Sequence, residues 1–99
     1  MAIVEVSIVP IGTAATSVSN FVAGAVSVLK TSGLHFELTA MGTIIEGDLV
    51  KVMETIQMMH ENPFSKGAER VYTVIKIDDR RDKPTGIDYK LRSVEKKLS

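Results

Sequence analysis

The sequence predicts an α+β fold, in which a four-stranded antiparallel sheet has two helices on one face and a further helix follows at the C-terminus. Three observations predict it. Strand-like and helix-like segments follow one another as strand, helix, strand, and then again as strand, helix, strand. A glycine-marked turn joins these two half-units as a hairpin would. The length of 99 residues and the hydrophobic fraction of 44% suit a single domain over residues 1–99.

The first half-unit begins with a strand and continues into a helix. Residues 2–9 are rich in Val and Ile, which favours a strand, and both of its faces are largely apolar. Residues 17–31 carry apolar side chains at spacings of three and four, which is typical of a helix with one buried stripe. A hydroxyl of Thr16 or Ser17 is predicted to cap its first turn, and Gly33 fits the position after its last turn.

A hairpin is predicted between the two helices. Residues 34–41 alternate apolar and polar side chains with a period of two, which indicates a half-buried strand. Gly42 marks a turn or bulge, and residues 43–46 form a short strand, most simply the hairpin partner of the one before it or a bent continuation of it.

The second half-unit consists of a helix and a strand. Residues 48–61 are predicted to be helical, with Asp48 as the N-cap, and Asn62-Pro63 is predicted to end the helix. Residues 70–78 alternate clearly and are predicted to form the last strand.

A charged turn over residues 79–86 leads to a mostly polar helix over residues 87–98, whose apolar stripe consists of Ile87, Leu91, Val94 and Leu98. The order β-α-β-β-α-β is that of the split βαβ, or ferredoxin-like, arrangement, whose helices cover one face of the sheet. The predicted strands nevertheless place Val and Ile on both faces. We therefore expect the uncovered face to be buried against another copy of the chain.

Charge and composition exclude several classes of function. Lys plus Arg and Asp plus Glu each number 12, so no excess of positive charge is present to hold nucleic acid or an anionic membrane surface. The chain has no cysteine, which excludes disulfides, thiolate zinc sites and cysteine nucleophiles. No segment has the pattern of a membrane span or a signal peptide, so a cytoplasmic location is expected.

The charges are distributed unevenly along the chain. Residues 1–45 carry only Glu5, Lys30 and Glu37, whereas residues 46–99 carry the remaining 21 charged side chains. The first half is rich instead in Ser and Thr. We expect this nearly uncharged half to supply much of the sheet and a polar but neutral ligand pocket.

Two segments carry the candidate ligand site. The loop over residues 10–19 leads to a helix N-terminus and contains more hydroxyls than capping needs, so it is either an ordinary capped loop or a site for a polar ligand. Glu46 lies between an apolar strand and a glycine. It is either a partly buried carboxylate that binds an amine or a cation, or an acid favoured by a helix dipole.

Other polar residues are interpreted as structural. Arg70 could pair with Glu46 or Glu69, or contact a ligand, and the salt bridge is the preferred interpretation. His35 and His60 lack the spacing of a metal site, and no serine lies in a nucleophile elbow, so no metal ligand and no catalytic residue is assigned. The run over residues 78–83 alternates in charge and is expected to be a solvated turn or a cluster of salt bridges between subunits.

Short motifs follow one another along the chain: Pro10-Ile11-Gly12-Thr13, Ser17 and Ser19, Met41-Gly42-Thr43, Ile45-Glu46-Gly47, Arg70-Val71, Lys76-Ile77-Asp78 and Arg80-Arg81-Asp82. In this order, and over nearly the whole chain, they resemble the small thiamine-binding protein family. The resemblance implies a cytoplasmic homotetramer of ferredoxin-like subunits, a dimer of dimers packed through their sheets. It also implies binding of thiamine, or of its hydroxymethylpyrimidine half, without catalysis and without a cofactor.

Carried over residue by residue, the resemblance places the ligand among Thr13, Ser17 and Ser19 of the first loop and Thr43 and Glu46 of the hairpin. Hydroxyls and one carboxylate can satisfy the donors and acceptors of an aminopyrimidine. Glu46 would offset the cationic thiazolium. The pyrimidine is expected near Ser17 and Ser19, because a helix N-terminus disfavours a cation.

The predicted function is therefore non-enzymatic binding of thiamine or its pyrimidine half by a homo-oligomer. The alternative is a regulatory module that senses a small anion or an amino acid, as other ferredoxin-like domains do. A phosphohydrolase of the acylphosphatase type shares the fold, but that chemistry requires an arginine in the first loop, which contains none.

Overall fold

The computed structural model of the protein describes residues 1–13, 19–83 and 86–98. Its elements, in chain order, are β1 (Ala2–Pro10), α1 (Ser19–Ser32), β2 (His35–Leu38), β3 (Thr43–Gly47), α2 (Leu49–Ser65), β4 (Val71–Asp79) and α3 (Ile87–Leu98). Their order confirms the predicted βαββαβ arrangement with an added C-terminal helix. None of the helices in these ranges is long and apolar enough to cross a membrane.

The strands form one antiparallel sheet in the order β2-β3-β1-β4. The central strand β1 pairs with β3 from Ala2 to Val6 and with β4 from Ala2 to Pro10. The two outer strands, β2 and β4, are the edges of the sheet. This confirms the ferredoxin-like fold predicted from the sequence.

The core lies between one face of the sheet and the helices α1 and α2. Because successive side chains of a strand point to opposite faces, alternate residues of β1 and β3 are buried there. The buried core consists of Ala2, Val4, Val6, Ala25, Leu29, Ile45, Val52, Ile56 and Met59. The opposite face, which we call the open face, carries the other set of strand residues: Ile3, Glu5, Ser7, Val9, His35, Glu37, Ile44, Glu46, Tyr72, Val74, Lys76 and Asp78.

The helix α2 runs further than predicted. Asn62-Pro63 was expected to end it, but it continues to Ser65 with Pro63 inside its last turn. Proline removes only its own N–H donor, and the carbonyl of Pro63 still accepts hydrogen bonds of 3.1 and 3.0 Å from the N–H groups of Lys66 and Ala68. The Pro63 side chain is also fully buried. The predicted stop was therefore wrong by about one turn.

The strand β2 ends at Leu38, earlier than the predicted residue 41. The hydroxyl of Thr39 accepts hydrogen bonds from the N–H groups of Met41 and Gly42 and donates one to the carbonyl of Gly42. A side chain that bonds the local backbone in this way competes with the ladder of a strand, so the chain turns. The predicted hairpin and its turn at Gly42 are confirmed.

Two predicted helix termini are confirmed, and one lies outside the described residues. The carboxylate of Asp48 accepts a hydrogen bond of 3.4 Å from the N–H of Lys51, as the N-cap of α2. Gly33 follows α1 with a φ of 77°, a left-handed conformation that favours glycine. The predicted N-caps of α1, Thr16 and Ser17, belong to residues 14–18, which are not described.

The helix α3 projects from the rest of the molecule. Of its predicted apolar stripe only Ile87 is buried, whereas Leu91, Val94 and Leu98 are 53%, 56% and 81% exposed. The radius of gyration of the Cα atoms is 14.9 Å, against about 12.6 Å for a compact domain of this length. The apolar stripe of α3 is therefore present, but the described residues of the same chain leave most of it exposed to solvent.

The charged turn after β4 is held by local ion pairs. Arg80 contacts Asp82 with an N–O distance of 2.6 Å, and Arg81 contacts Asp79 at 2.7 Å. These hydrogen-bonded guanidinium groups hold the pKa of Asp79 and of Asp82 below the usual value of 3.8. These ion pairs lie within one chain and on exposed side chains, as the interpretation of the run as a solvated turn expects.

Tyr89 of α3 is expected to ionise at a lower pH than an ordinary tyrosine. The ammonium of Lys83 donates a hydrogen bond of 2.8 Å to its phenolic oxygen and lowers its pKa below 10.0. Because folding lowers the pKa of Tyr89, the contact stabilises the folded protein in alkaline solution, where the phenolate forms. This pH-dependent stabilisation is lost as the pH falls towards neutrality.

The Lys83→Met variant should raise the pKa of Tyr89, because the phenolate loses its donor and a nearby positive charge. The chain has two tyrosines and no tryptophan, so phenolate absorbance measures the shift directly. An unchanged titration curve in the variant would show that the contact does not persist in solution.

Candidate functional site

The structure divides the five predicted ligand residues between two regions of the sheet. Thr43 begins β3, is only 7% exposed, and faces the helices together with its β1 partner Val6. Glu46 lies three residues further along the same strand. Strand alternation therefore places its side chain on the open face. Within one chain, a single ring does not contact both side chains.

Beside Thr43 the sheet opens. The pairing of β3 with β1 stops at Val6, whereas β4 follows β1 as far as Pro10. In the described part of the chain, residues 7–9 of β1 have no strand on their β3 side. Gly42 allows the turn to approach β1 closely, because a Cβ at this position would lie 3.0 Å from the carbonyl oxygen of Val6.

This opening leads to a cavity of about 260 Å³ between the end of β1, the β2–β3 turn and α1, which we call the hairpin cavity. Its lining is largely apolar with a few hydroxyls and includes Val22, Ala25, Met41, Met59, Ser7, Thr39 and Thr43. No charged side chain of the described residues lines it. Its size is slightly below the ~300 Å³ at which typical small-molecule pockets begin. The hairpin cavity therefore suits one small uncharged ring.

Thr13 and Ser19 lie at the same end of the sheet as this cavity. Thr13 follows Ile11, whose N–H donates a 2.8 Å hydrogen bond to the carbonyl of the residue before β4 and so fixes the chain where it leaves β1. Ser19 opens α1 one turn before Val22, which lines the cavity. Ser17 lies outside the described residues. Three of the five predicted residues thus share one end of the sheet.

Glu46 attaches α3 to the open face. Its Oε2 atom accepts a hydrogen bond of 2.8 Å from the backbone N–H of Ile87, the first residue of α3. Its Oε1 atom lies 3.7 Å from Nε2 of His35, and its side chain is 19% exposed. A carboxylate interacts favourably with a helix N-terminus. This geometry matches the structural one of the two interpretations left open by the sequence, although the helix concerned is α3.

The other polar residues singled out from the sequence, His60 and Arg70 among them, form no catalytic group with Thr43 or with Glu46 in the described part of the chain. Nδ1 of His60 lies 2.7 Å from Oγ1 of Thr73, and its ring contacts Phe64 edge to face at 5.5 Å. In residues 1–13, 19–83 and 86–98, no three His, Asp or Glu side chains cluster as a metal site. The salt bridge expected of Arg70 is not among the ion pairs of the described residues, so that prediction was wrong.

Apart from Thr43, the residues that line the hairpin cavity were not predicted as site residues. Ala25 was assigned to the apolar stripe of α1, and Met41 to the end of a strand. In the structure Ala25 is 4% exposed inside the cavity, and Met41 is 85% exposed at its rim. The available signal was the small side chain of Ala25 within a stripe of larger ones, because a small residue there leaves space beside the sheet.

Comparison with known proteins decides the family. The family described as thiamine-binding protein matches residues 4–95. The chain belongs to the thiamine-binding protein family. A UPF0045 protein of Bacillus subtilis is 47% identical over 102 residues, covering 99% of this chain and 98% of that protein. A UPF0045 protein of Methanothermobacter thermautotrophicus is 43% identical over 95 residues, covering 95% and 96%. The resemblance stated from the motifs is confirmed.

Solved structures similar to this member of the family have the same fold. A hypothetical protein of Methanocaldococcus jannaschii superposes with a TM-score of 0.86 at 37% identity, over 95% of both chains. A Thermotoga maritima protein, for which a role in thiamine biosynthesis or salvage has been proposed, superposes with a TM-score of 0.79 over 94% of this chain and 97% of its own. At 18% identity, that second likeness shows the fold alone.

Proposed function

We propose that this protein binds thiamine, or its hydroxymethylpyrimidine half, in the hairpin cavity. The observation that carries the proposal is a neutral cavity beside Thr43, at the end of the sheet that also holds Thr13 and Ser19. Membership of the thiamine-binding protein family supports a thiamine-related ligand. Ser17 is included in the proposed site on the family resemblance.

The hairpin cavity offers the contacts that an aminopyrimidine needs. A flat apolar ring packs well against aliphatic and thioether side chains such as Val22 and Met41. Its ring nitrogens and exocyclic amine need acceptors and donors. The hydroxyl of Thr43 and the main chain of residues 7–9 are placed to supply them, whereas the side chain of Ser7 lies on the open face. A cationic thiazolium has no carboxylate on the described wall, so we expect it at the solvent-facing mouth.

We further infer that the protein acts by binding alone and without a cofactor. The matching family is described by binding. The described wall of the hairpin cavity contains no His, Asp, Glu, Lys or Cys, which are the groups that most often serve as general base or nucleophile.

We also propose that copies of the chain pack through the open face and assemble as a dimer of dimers. Val9, Tyr72 and Val74 are 39%, 60% and 39% exposed and lie on neighbouring strands of that face. An apolar surface of this kind is typical of an interface. Lys76 lies 3.6 Å from Glu5 on the same face, so these charges are paired within each copy. Sedimentation equilibrium measures the assembly, and a monomer at every concentration would contradict it.

Calorimetric titration of the folded protein with thiamine and, separately, with hydroxymethylpyrimidine tests the proposed ligand. Binding of both compounds is expected, because the pyrimidine half occupies the cavity. No heat at millimolar ligand from folded protein would contradict the proposal. Heat with inorganic phosphate or an amino acid, and none with thiamine, would favour the regulatory alternative.

Replacing Thr43 with valine should weaken binding of both ligands about tenfold, or ~1.4 kcal/mol, because one polar group of the pyrimidine loses its partner. The matched control is Thr55→Val. Thr55 is also buried, at 2% exposure against 7% for Thr43, but its hydroxyl donates to the carbonyl of Lys51 inside α2, away from the cavity. Calorimetry should show a loss of affinity in the first variant alone. Equal losses in both would place the ligand elsewhere.

A further inference from the structure

The main-chain groups of β1 point alternately to its two neighbouring strands, and two contacts show which residues point which way. In an antiparallel ladder, the N–H and C=O of one residue both face the same neighbour, and those of the next residue face the other. The carbonyl oxygen of Val6 lies 3.0 Å from the position that a Cβ on Gly42 would take, so it faces β3. The N–H of Ile11 donates to the carbonyl of Arg70, just before β4. Even-numbered residues at this end of β1 therefore face β3, and odd-numbered residues face β4.

Ile8 is the residue whose main chain this alternation leaves facing the hairpin cavity. The pairing with β3 ends at Val6, so the N–H and C=O of Ile8 face the gap beside the β2–β3 turn. Pro10, the next even-numbered residue, has no N–H to donate. Within β1, Ile8 is therefore the only residue that places both a donor and an acceptor on this side beyond the ladder. It lines the cavity, and its side chain packs against the core.

The N–H and C=O of Ile8 form a compact and fixed pair of hydrogen-bonding sites. In an extended residue the two groups lie side by side and point the same way, as they do when a strand binds its neighbour. Ser7 and Val9 pair with β4 on the other side, and this ladder holds the main chain of Ile8 in place. A flat ring that satisfies both groups must carry an acceptor and a donor next to each other on one edge.

We propose that the main chain of Ile8 recognises the amidine edge of a 4-aminopyrimidine, which consists of the ring nitrogen N3 and the exocyclic amine beside it. The N–H of Ile8 donates to N3, and its C=O accepts from the amine. The inference rests on the proposed function, because it requires the pyrimidine half in the hairpin cavity, and it adds what that cavity selects. The specificity for an amino group then comes from the backbone rather than from a side chain.

A 4-oxo pyrimidine should be rejected by the same pair of groups. Replacing the amine with a carbonyl oxygen places two acceptors against each other, the new oxygen and the C=O of Ile8. Turning the ring over would restore both bonds, but it would drive the other ring substituents into the walls of a cavity of only about 260 Å³. A site built to hydrogen-bond its ligand rejects an analogue that leaves its polar groups unpaired. The hairpin cavity therefore selects aminopyrimidines over their oxo counterparts.

Calorimetry with hydroxymethylpyrimidine and with its 4-oxo analogue tests this selection. The two compounds have the same other substituents and nearly the same size, so only the hydrogen-bonding edge differs. The 4-oxo compound should bind at least ~100-fold more weakly, as expected when two hydrogen bonds are lost together. Equal affinity for the two compounds would overturn the assignment to Ile8 and leave the proposed function standing. No heat with either compound would overturn the proposed function, and the inference with it.

Amide hydrogen exchange followed by NMR tests whether Ile8 itself makes the contact. In the free protein its amide should exchange at least ~10-fold faster than those of Ser7 and Val9, which face β4. With hydroxymethylpyrimidine at about ten times its Kd, exchange at Ile8 should slow by about tenfold. The matched control is the 4-oxo analogue at the same concentration, which should leave exchange at Ile8 unchanged. Slow exchange at Ile8 without ligand, or unchanged exchange with the ligand bound, would overturn the proposal.

Discussion

Replacing Ala25 with leucine is expected to weaken thiamine binding strongly while the protein remains folded. Ala25 is 4% exposed and lines the hairpin cavity, so an isobutyl group there would occupy the space proposed for the pyrimidine. Forcing extra carbon atoms into a packed site costs about 1–3 kcal/mol. If the bound ligand bears this cost, its affinity should fall by roughly 5- to 150-fold, measured by calorimetry.

The matched control for this variant is Ala23→Leu. Ala23 lies two residues earlier on α1, is exposed, and does not line the hairpin cavity. It should bind thiamine as the wild type does. Thermal unfolding of both variants separates a filled cavity from a damaged fold. A folded Ala25→Leu protein with wild-type affinity would show that the ligand binds somewhere else.

Replacing Glu46 with alanine is expected to detach α3 from the open face. The carboxylate of Glu46 accepts the 2.8 Å hydrogen bond from the first N–H of α3, and hydrogen bonds to charged groups contribute about 1.5–3 kcal/mol. The free energy of unfolding should fall by about this amount in urea. Amide hydrogen exchange in the first turn of α3 should accelerate, since that turn then has no cap.

Asp78→Ala is the matched control for the loss of a contact to α3. Asp78 pairs with Lys90 of α3, but both side chains are about half exposed, and an exposed ion pair contributes only about 0–1 kcal/mol. Asp78→Ala should therefore be much milder than Glu46→Ala. Equal effects of the two substitutions would contradict the role of Glu46 as the main attachment of α3.

The Glu46→Gln variant tests the ligand role that the family resemblance implies for this residue. If its carboxylate offsets the thiazolium, the variant should lose affinity for thiamine and keep its affinity for hydroxymethylpyrimidine. We expect no such selective loss, because Thr43 and Glu46 lie on opposite faces of β3. A tenfold selective loss would return Glu46 to the ligand site.

The sequence predicted the order and kind of every element because its apolar periods are clear. The errors concerned element ends, where one local contact outweighs a general preference. Pro63 was expected to stop α2, but its carbonyl takes part in the last turn and its ring is buried. The side chain of Thr39 ended β2 three residues early, and the alternation of residues 34–41 carries no sign of that turn.

The candidate site was predictable only in part, because it depends on pairing between distant strands. That Thr43 and Glu46 point to opposite faces follows from their spacing within the predicted strand 43–46. The end of the β1–β3 pairing at Val6 does not follow from any local pattern, and it is this gap that opens the hairpin cavity. The contact between Glu46 and α3 spans 41 residues, beyond the reach of sequence periodicity.

Backbone amide NMR during a thiamine titration tests the central claim most directly, because it shows where on the fold the ligand binds. We predict that thiamine and hydroxymethylpyrimidine both shift the amides of residues 7–9, residues 39–43 and the first turns of α1. The amide signals of Glu46 and of α3 should not shift. If instead only the signals of Glu46, its neighbour His35 and α3 shift, and those of residues 39–43 do not, the assignment of the ligand to the hairpin cavity is contradicted.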